Sequence, residues 1–334
     1  MIKVAYLGGG AVVQRSHMPA IELVDSMEVV AVADKSTDCL SMLEQQNSDC
    51  LYTHNVEEAI KVSDLVVIAT PSATHYQLGL QALTAKKHVL MEKPLATELD
   101  QAYQLVNIAE KNNTILSVSL VRRFVNHNLL LKELLSVDLV GEIREVLVEE
   151  GAPFNWPVQS VDFYDPEKSG GGVFCDNGAH LVDLLSWWLG PLTLESYFDD
   201  SQGGVEAECE LSFSTESGAT GILRMSRLRH LKNRILIKGS KGSLRMGLSS
   251  GCFELRVSDH SRLLAGFAEE RIGESASQST LDLFRHQYEG LSKLIGESSH
   301  QDGQNIVLGR ECLTSIDLID RCYRQRQVLS NQVI

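Results

Sequence analysis

The sequence has no uninterrupted apolar run that approaches the roughly 18 residues of a membrane span, so we expect none. Strand character begins at Ile2, which leaves no room for a signal peptide. No C-x-x-C pair is present, and the seven cysteines are odd in number and scattered along the chain. This pattern is typical of free thiols in a reducing cytoplasm and disfavours a structural zinc site.

The sequence also has fewer basic residues than acidic ones. Lys and Arg number 30 against 44 Asp and Glu, which gives a net charge of −14. An acidic surface disfavours non-specific binding to nucleic acid or to anionic membranes, but it does not exclude a local basic pocket for an anionic substrate. The remaining composition, 43% hydrophobic and 22% charged, is typical of a globular protein, and 334 residues predict about two domains.

The first domain is predicted over residues 1–120. Five short apolar runs are predicted strands, and helical spacing separates them. Strands that are apolar throughout and alternate with helices indicate a parallel sheet covered on both faces, and right-handed crossovers make it an α/β, doubly wound domain. The five runs are residues 2–7, 28–33, 65–69, 88–91 and 115–118.

The second domain is predicted over residues 121–334. Strands are predicted at 143–150, 219–225 and 234–238, and alternating residues at 205–213 indicate another. Residues 239–242, Gly-Ser-Lys-Gly, are typical of a hairpin turn. Consecutive strands with short connections indicate an α+β domain with a large, mainly antiparallel sheet. The last two helices, about 281–295 and 306–323, could pack back on the first domain.

The N-terminal strand runs into a Gly-x-Gly turn at residues 8–10. Gly8 permits a tight turn, and Gly10 lets a pyrophosphate approach the backbone. The helix that starts at Ala11 and Val12 offers free N–H groups and the positive end of its dipole to that pyrophosphate. The turn therefore predicts a bound dinucleotide.

Asp34 follows the second predicted strand and favours NAD over NADP. Its carboxylate can accept hydrogen bonds from both ribose hydroxyls and would repel a 2′-phosphate. The neighbouring Lys35 and Ser36 could serve a phosphate, so NADP stays an alternative. A second alternative is that Asp34 only caps the next helix. Val13 departs from the small residue expected at the third fingerprint position.

Candidate functional residues follow two further strands, because ligands bind at the carboxyl ends of the strands in sheets of this kind. Thr70 and Pro71 are predicted to lie along the cofactor. His75 could contact the nicotinamide, or it could form only a local hydrogen bond at a helix start. Glu92 and Lys93 follow the next strand, where the lysine could stabilise an alkoxide or be a solvated surface residue.

A glycine run at residues 170–172 precedes Asp176-x-x-x-His180 and an apolar helix. The glycines allow close backbone approach to a ligand. Four residues apart near a helix start, Asp176 and His180 project to one side, where the histidine could exchange a proton and the carboxylate orient it. Alternatively, Asp176 caps the helix and His180 is a core residue. Nothing in the sequence requires a metal here.

Together these motifs resemble the Gfo/Idh/MocA family, the glucose–fructose oxidoreductase and inositol dehydrogenase group. The resemblance rests on Gly8-x-Gly10, Thr70-Pro71, Glu92-Lys93-Pro94 and the glycine run with Asp176-x-x-x-His180. It implies an N-terminal Rossmann domain and a C-terminal domain built on an open sheet. It also implies that Lys93, Asp176 and His180 are catalytic, that Pro94 is often cis, and that the protein is a homodimer or homotetramer paired through this sheet.

The primary hypothesis is reversible, NAD(P)-dependent oxidation of a secondary alcohol on a sugar, sugar derivative or cyclitol. His180 would move the proton, Lys93 would stabilise the oxygen, and Asp176 would orient one of them. The alternatives are glycoside cleavage by oxidation, elimination and re-reduction, and a non-catalytic dinucleotide-sensing regulator. Besides these three residues, the predicted substrate contacts are Arg122, Trp156 and Tyr164.

Overall fold

The computed structural model describes residues 1–46, 49–155, 164–257, 262–267, 278–296 and 305–329. The chain forms two compact units: unit 1 comprises Met1–Phe124 and Ser279–Leu313, and unit 2 comprises Val125–Gln278 and Thr314–Ile334. A single cut between residues 120 and 121 therefore does not separate them, because a late segment belongs to unit 1. Within the described ranges, no helix is long and apolar enough to cross a membrane.

The strands are, in chain order, β1 (Ile2–Leu7), β2 (Met27–Ala33), β3 (Leu51–Thr53), β4 (Leu65–Ile68), β5 (His88–Met91), β6 (Leu116–Val118), β7 (Ile143–Gly151), β8 (Leu192–Asp199), β9 (Glu208–Thr215), β10 (Thr220–Ser226), β11 (Arg234–Gly239), β12 (Gly242–Gly247), β13 (Cys252–Val257), β14 (Arg262–Phe267), β15 (Val307–Leu308) and β16 (Gln327–Val328). The α-helices are α1 (Met18–Ile21), α2 (Thr37–Gln46), α3 (Val56–Val62), α4 (His75–Thr84), α5 (Leu99–Lys111), α6 (Asn126–Ser136), α7 (Pro166–Ser169), α8 (Ala179–Leu189), α9 (Thr280–Gly296) and α10 (Gly309–Arg324). A π-helical turn precedes α1 at Val13–His17 and another precedes α8 at Phe174–Gly178.

Unit 1 is built on a seven-stranded sheet in the order β15-β6-β5-β4-β1-β2-β3. Strands β1 to β6 pair in parallel, and only β15 pairs antiparallel, with β6. All four residues of β4 are buried, which explains why this strand is apolar throughout. The sheet confirms the doubly wound fold that the sequence predicts.

Helix α9 belongs to unit 1, although it lies more than 150 residues beyond β6 in the chain. It packs on α1, on the π turn before α1 and on the turn at Val121–Phe124. Phe284, Tyr288 and Leu291 bury one face of the helix in the core of the unit. Their spacing is that of an amphipathic helix, which is what the sequence predicts for this segment.

Unit 2 is built on a nine-stranded sheet in the order β14-β13-β12-β11-β7-β10-β9-β8-β16. Most neighbours pair antiparallel, whereas β7 pairs in parallel with β10 and β16 with β8. The sheet is therefore mainly antiparallel, as predicted. The hairpin turn is also confirmed, because Ser240 and Lys241 alone join β11 to β12.

The two faces of the unit 2 sheet differ in chemistry. Inward-facing residues such as Val148 and Leu223 form one core with Leu181 and Leu185 of α8. On the opposite face, charged residues pair across neighbouring strands, for example Glu149 with Arg234, on either side of apolar residues such as Leu147. The core face holds α8, and with it the segment that carries Asp176 and His180.

Candidate functional site

Gly8 and Gly10 of the glycine turn have different reasons to be glycine. Gly8 has φ +96°, and a Cβ there would lie 2.6 Å from the carbonyl oxygen of Ala69, so a larger residue would be strained and would clash. A Cβ at Gly10 would meet no protein atom within 4 Å. The backbone at Gly10 therefore faces open space, which a pyrophosphate could enter.

The peptide groups around Gly9 are fixed by three side chains. The Gly9 N–H donates to Asp34 Oδ2 at 2.7 Å, and its carbonyl accepts from Gln14 Nε2 at 2.6 Å and from Cys39 Sγ at 3.2 Å. The sequence did not single out Gln14 or Cys39, since neither belongs to the glycine fingerprint. Asp34 therefore helps to hold the glycine turn in its conformation, because it accepts the Gly9 N–H.

Asp34 does not cap α2. Its Oδ1 accepts the Ser36 N–H at 2.8 Å, while the Ser36 hydroxyl accepts the Cys39 N–H at the helix start at 3.2 Å. Each carboxylate oxygen of Asp34 has one such backbone donor and a second lone pair, which suits the acceptance of ribose hydroxyls. Lys35 is exposed beside it.

The helix that follows the glycine turn starts at Ala11 and Val12 and includes the π turn at Val13–His17. The Gln14 N–H donates to the Gly10 carbonyl at 3.1 Å, so the helix begins directly after the turn. Val13 is fully buried in the core of unit 1. The departure from the glycine fingerprint is therefore accommodated by core packing, and the turn with its helix start fits a dinucleotide pyrophosphate.

His75 joins two loops at the carboxyl edge of the sheet. One ring nitrogen, Nε2, lies 2.9 Å from the Thr70 carbonyl oxygen, and the other, Nδ1, lies 2.7 Å from the Pro94 carbonyl oxygen. The ring is only 1% exposed, and burial lowers the pKa of His75 below its ordinary value. This geometry favours the alternative in which His75 makes local hydrogen bonds. Thr70 is half-buried, and Pro71 is exposed at the same loop.

Glu92 is anchored from the protein side. Its Oε1 lies 3.0 Å from His17 Nε2, and its Oε2 accepts the Lys93 N–H at 3.3 Å. Burial raises the pKa of Glu92, but hydrogen bonds from His17 and Ser119, together with the nearby charge of Lys93, outweigh burial and hold the pKa below its ordinary value. The next peptide bond, Lys93–Pro94, is cis. Lys93 therefore follows a carboxylate that is held in place, at the end of β5.

His17 belongs to a row of hydrogen bonds that continues into the core. Its Nδ1 lies 2.7 Å from the Tyr288 hydroxyl, which lies 3.0 Å from the Tyr6 hydroxyl. All three side chains are completely buried. No local pattern in the sequence indicates this row of hydrogen bonds, because β1, the π turn and α9 contribute one residue each.

In unit 2, the glycine run packs closely against other parts of the protein. A Cβ at Gly171 would collide with the Tyr323 hydroxyl, and a Cβ at Gly172 would collide with the backbone of Glu206. Gly171 also has φ +143°, in the region that favours glycine. The expectation that these two glycines serve the approach of a ligand is therefore wrong, since the chain itself fills the space.

Asp176 and His180 lie on one continuous helix, Asp176 in the π turn and His180 in the first turn of α8. Asp176 is inside the helix, because its N–H donates to the Gly172 carbonyl at 3.0 Å, so it is not the helix cap. Its carboxylate forms an ion pair with Arg227, whose guanidinium lies 4.7 Å from the ring centre of Phe154.

The comparisons with known proteins match both units. Residues 2–120 match the family model described as the oxidoreductase family with an NAD-binding Rossmann fold, and residues 129–245 match the GFO/IDH/MocA C-terminal domain. The chain belongs to the Gfo/Idh/MocA family. Unit 1 accordingly contains the family's NAD-binding Rossmann domain.

Among its Gfo/Idh/MocA relatives, the glucose-6-phosphate 3-dehydrogenase of Bacillus subtilis is 29% identical over 203 residues, 57% of this chain and 54% of that protein. A dTDP-3,4-didehydro-2,6-dideoxy-alpha-D-glucose 3-reductase of Saccharopolyspora spinosa is 26% identical over 250 residues, 73% of this chain and 74% of that one. The chain thus spans about half the length of the first relative. The WlbA dehydrogenase of Bordetella pertussis, solved with NADH and UDP-GlcNAcA, has the same fold, with a TM-score of 0.80 at 20% identity over 97% of this chain and 95% of that one.

Of the remaining predicted substrate residues, Arg122 belongs to unit 1 and Tyr164 to unit 2. Arg122 is half-buried in a turn of unit 1, and the adjacent Arg123 donates to Glu311 at 2.8 Å. Tyr164 of unit 2 is 56% exposed, and Trp156 lies outside the described residues. The part of the chain that the structure describes contains no group of three or more His, Cys, Asp and Glu side chains that could hold a metal ion.

Proposed function

We propose that the protein is an NAD(P)-dependent oxidoreductase that moves a hydride between nicotinamide and a secondary alcohol or ketone of a sugar, sugar derivative or cyclitol. The observation that carries the proposal is the anchored Glu92-Lys93 segment, in which a lysine directly follows a carboxylate held by His17 at the carboxyl edge of an NAD-binding sheet. Relatives named as sugar 3-dehydrogenase and sugar 3-reductase support the substrate class.

The residues that would hold the dinucleotide lie along the carboxyl edge of the unit 1 sheet. Gly8, Gly10, Ala11 and Val12 would take the pyrophosphate, and Asp34 would take the ribose. Thr70, Pro71 and the Glu92-Lys93 segment would flank the nicotinamide half. His75 would hold the two loops in place through its contacts with the Thr70 and Pro94 carbonyl oxygens. When bound, the cofactor supplies or accepts the hydride.

Asp34 supports a preference for NAD over NADP. A 2′-phosphate would be repelled by its carboxylate, and the exposed Lys35 offers only a solvated charge in compensation. A comparison of NADH and NADPH binding by fluorescence titration tests this preference. Tighter binding of NADPH would reverse it.

The proton steps are assigned to both units. His180 would accept the hydroxyl proton during oxidation and return it during reduction. Lys93 would donate a hydrogen bond to the same oxygen and stabilise its negative charge. Asp176, paired with Arg227, would orient Lys93 or His180. Arg122, Trp156 and Tyr164 stay proposed substrate contacts, and pairing of copies through the unit 2 sheet stays a proposal.

Two single variants test the assignment. Lys93→Ala and His180→Ala should each lower kcat by about 10²- to 10⁴-fold, because each removes a proton-handling group, while NADH binding stays nearly unchanged. The measurement is NADH formation with a panel of polyols, sugars and sugar phosphates, together with NADH titration. Lys111→Ala, an exposed lysine of α5, is the matched control.

Full turnover in both variants would overturn these roles. Cleavage of a glycoside without net NADH formation would instead favour the oxidation–elimination–re-reduction reaction. NADH binding without turnover across the whole panel would favour a dinucleotide-sensing regulator.

A further inference from the structure

Glu206 of unit 2 accepts hydrogen bonds from three consecutive backbone N–H groups at the end of the glycine run. The Gly172 N–H donates to Glu206 Oε2 and the Phe174 N–H to Glu206 Oε1, both at 2.9 Å. The Val173 N–H between them donates to the backbone carbonyl of Glu206, also at 2.9 Å. Glu206 itself is only 2% exposed.

These N–H groups are the first donors of the helix that carries Asp176 and His180, and such donors have no partner within a helix. The residue at the helix start, Val173, has no side chain that could cap them. A carboxylate more than 30 residues further along the chain takes that place, where the positive end of the helix dipole favours its charge.

The carboxylate has a third donor, the side-chain hydroxyl of Tyr323. The Tyr323 hydroxyl donates to Glu206 Oε1 at 2.9 Å, and burial raises the pKa of Tyr323 well above its ordinary value, so the hydroxyl keeps its proton. Three donors offset the cost of burying the charge. Gly171 leaves room for the Tyr323 side chain and Gly172 for the Glu206 backbone, since a Cβ at either position would collide with these groups.

The contact extends to Asp176 through a single residue, Gly172. Gly172 gives its N–H to Glu206 and its carbonyl to the Asp176 N–H. A shift of Glu206 would therefore move the first turn of the helix, which includes Asp176 and leads directly to His180. A displacement of catalytic groups by about 1 Å can cost as much as 10²-fold in rate.

We propose that Glu206 is a positioning residue that fixes Asp176 and His180 for proton transfer through the backbone of residues 172–174. Tyr323 holds the carboxylate in that position. The roles of Asp176 and His180 rest on the proposed function, so the test needs a readout that does not depend on turnover.

Glu206→Gln tests the proposal with nearly the same side-chain volume. The amide keeps one acceptor oxygen, but its NH₂ group must face a backbone N–H, so one of the three helix-start contacts is lost. We expect kcat to fall by about 10- to 100-fold, with the Kd for NADH changed less than about twofold, because the dinucleotide residues belong to unit 1. In the free protein, the NMR signals of the His180 ring should shift.

Glu149→Gln is the matched control, since it removes another nearly buried carboxylate of unit 2 that pairs with Arg234 and not with the glycine run. Its kcat and its His180 signals should match those of the wild type. If Glu206→Gln also matches the wild type in both, and only the melting temperature falls, Glu206 has a structural role alone and the proposal is wrong.

Tyr323→Phe serves if Glu206→Gln does not fold, because it removes one donor and leaves the carboxylate. It should shift the His180 signals in the same direction by a smaller amount, and unchanged signals would reject the proposal. A wild-type protein without turnover on any substrate would reject the proposed function, whereas the NMR comparison would still decide whether Glu206 positions His180.

Discussion

At the scale of single residues, the hydrogen bonds behind Glu92 have one consistent direction. The lowered pKa of Glu92 makes it an ionised acceptor, so His17 must donate from Nε2. With one proton on the imidazole ring, His17 Nδ1 is then an acceptor for the Tyr288 hydroxyl, and Tyr6 donates to Tyr288. Burial raises the pKa of both tyrosines above the ordinary value, so both keep their protons.

This direction predicts different costs for removing the two hydroxyls. Tyr288→Phe should lower the free energy of unfolding by about 1–3 kcal/mol, because it leaves a buried acceptor on His17 and a buried donor on Tyr6 without partners. Tyr6→Phe removes only the end of the row and should cost about 0.5–1.5 kcal/mol. Urea unfolding of both variants measures the difference, and a larger cost for Tyr6→Phe would contradict the direction.

At the scale of elements, two glycines of the turn between β1 and the following helix have different roles. Gly8 is required by its φ of +96° and by the carbonyl of Ala69. Gly10 is not required by any protein contact, because its Cβ position is open. The same motif therefore contains one glycine needed by the fold and one available to the ligand.

Alanine substitutions distinguish these two requirements. Gly8→Ala should destabilise the protein by about 1–3 kcal/mol through backbone strain and the clash. Gly10→Ala should change stability by less than about 0.5 kcal/mol, yet weaken NADH binding about tenfold or more, because the methyl group would occupy the space proposed for the pyrophosphate. Urea unfolding and NADH titration measure both effects, and normal NADH binding by Gly10→Ala would place the pyrophosphate elsewhere.

The elements that the sequence predicts are those with a strong local pattern. Strands β1, β4 and β5 are buried and apolar, and the end of α8 is marked by Gly190 with φ +85°. Strands β15 and β16 have two residues each, too few to form a pattern. Strands β8 and β13 alternate imperfectly between buried and exposed positions, which hides their period of two.

The site shows the same division between local and distant information. Gly8, Lys93 and Asp176 could be proposed as candidates because each belongs to a motif of neighbouring residues. Glu206 and Tyr288 could not, because each meets its partner only after the chain has folded, 34 residues from Gly172 in one case and 271 from His17 in the other. Supporting residues of this kind carry no motif of their own.

At the scale of the whole molecule, acid sensitivity is expected from the buried His75 and the half-buried His88. His88 Nδ1 accepts the Ile115 N–H at 3.0 Å, and burial lowers the pKa of His88 below 6.5, as it does for His75. The folded protein therefore binds these protons less tightly than the unfolded chain does. Their contribution to stability is fully present above about pH 6.5 and is lost as the pH falls below that value.

His88→Gln isolates this contribution. The general relief of repulsion in a chain of net charge −14 acts on the wild type and the variant alike, so their difference reports the histidine. Between pH 7.5 and 5.5, the wild type should lose more unfolding free energy, or gain less, than the variant does. Urea unfolding at both pH values provides the measurement, and identical pH dependence in the two proteins would contradict the assigned pKa direction.

The return of Ser279–Leu313 to unit 1 has a consequence for biosynthesis. A ribosome makes β1 to β6 first, but the Rossmann core stays without Tyr288 and Leu291 until α9 has been translated. The part of the protein that is begun earliest is thus completed among the latest. Nascent chains must wait with an open hydrophobic surface, which is the period when a chaperone would be most useful to them.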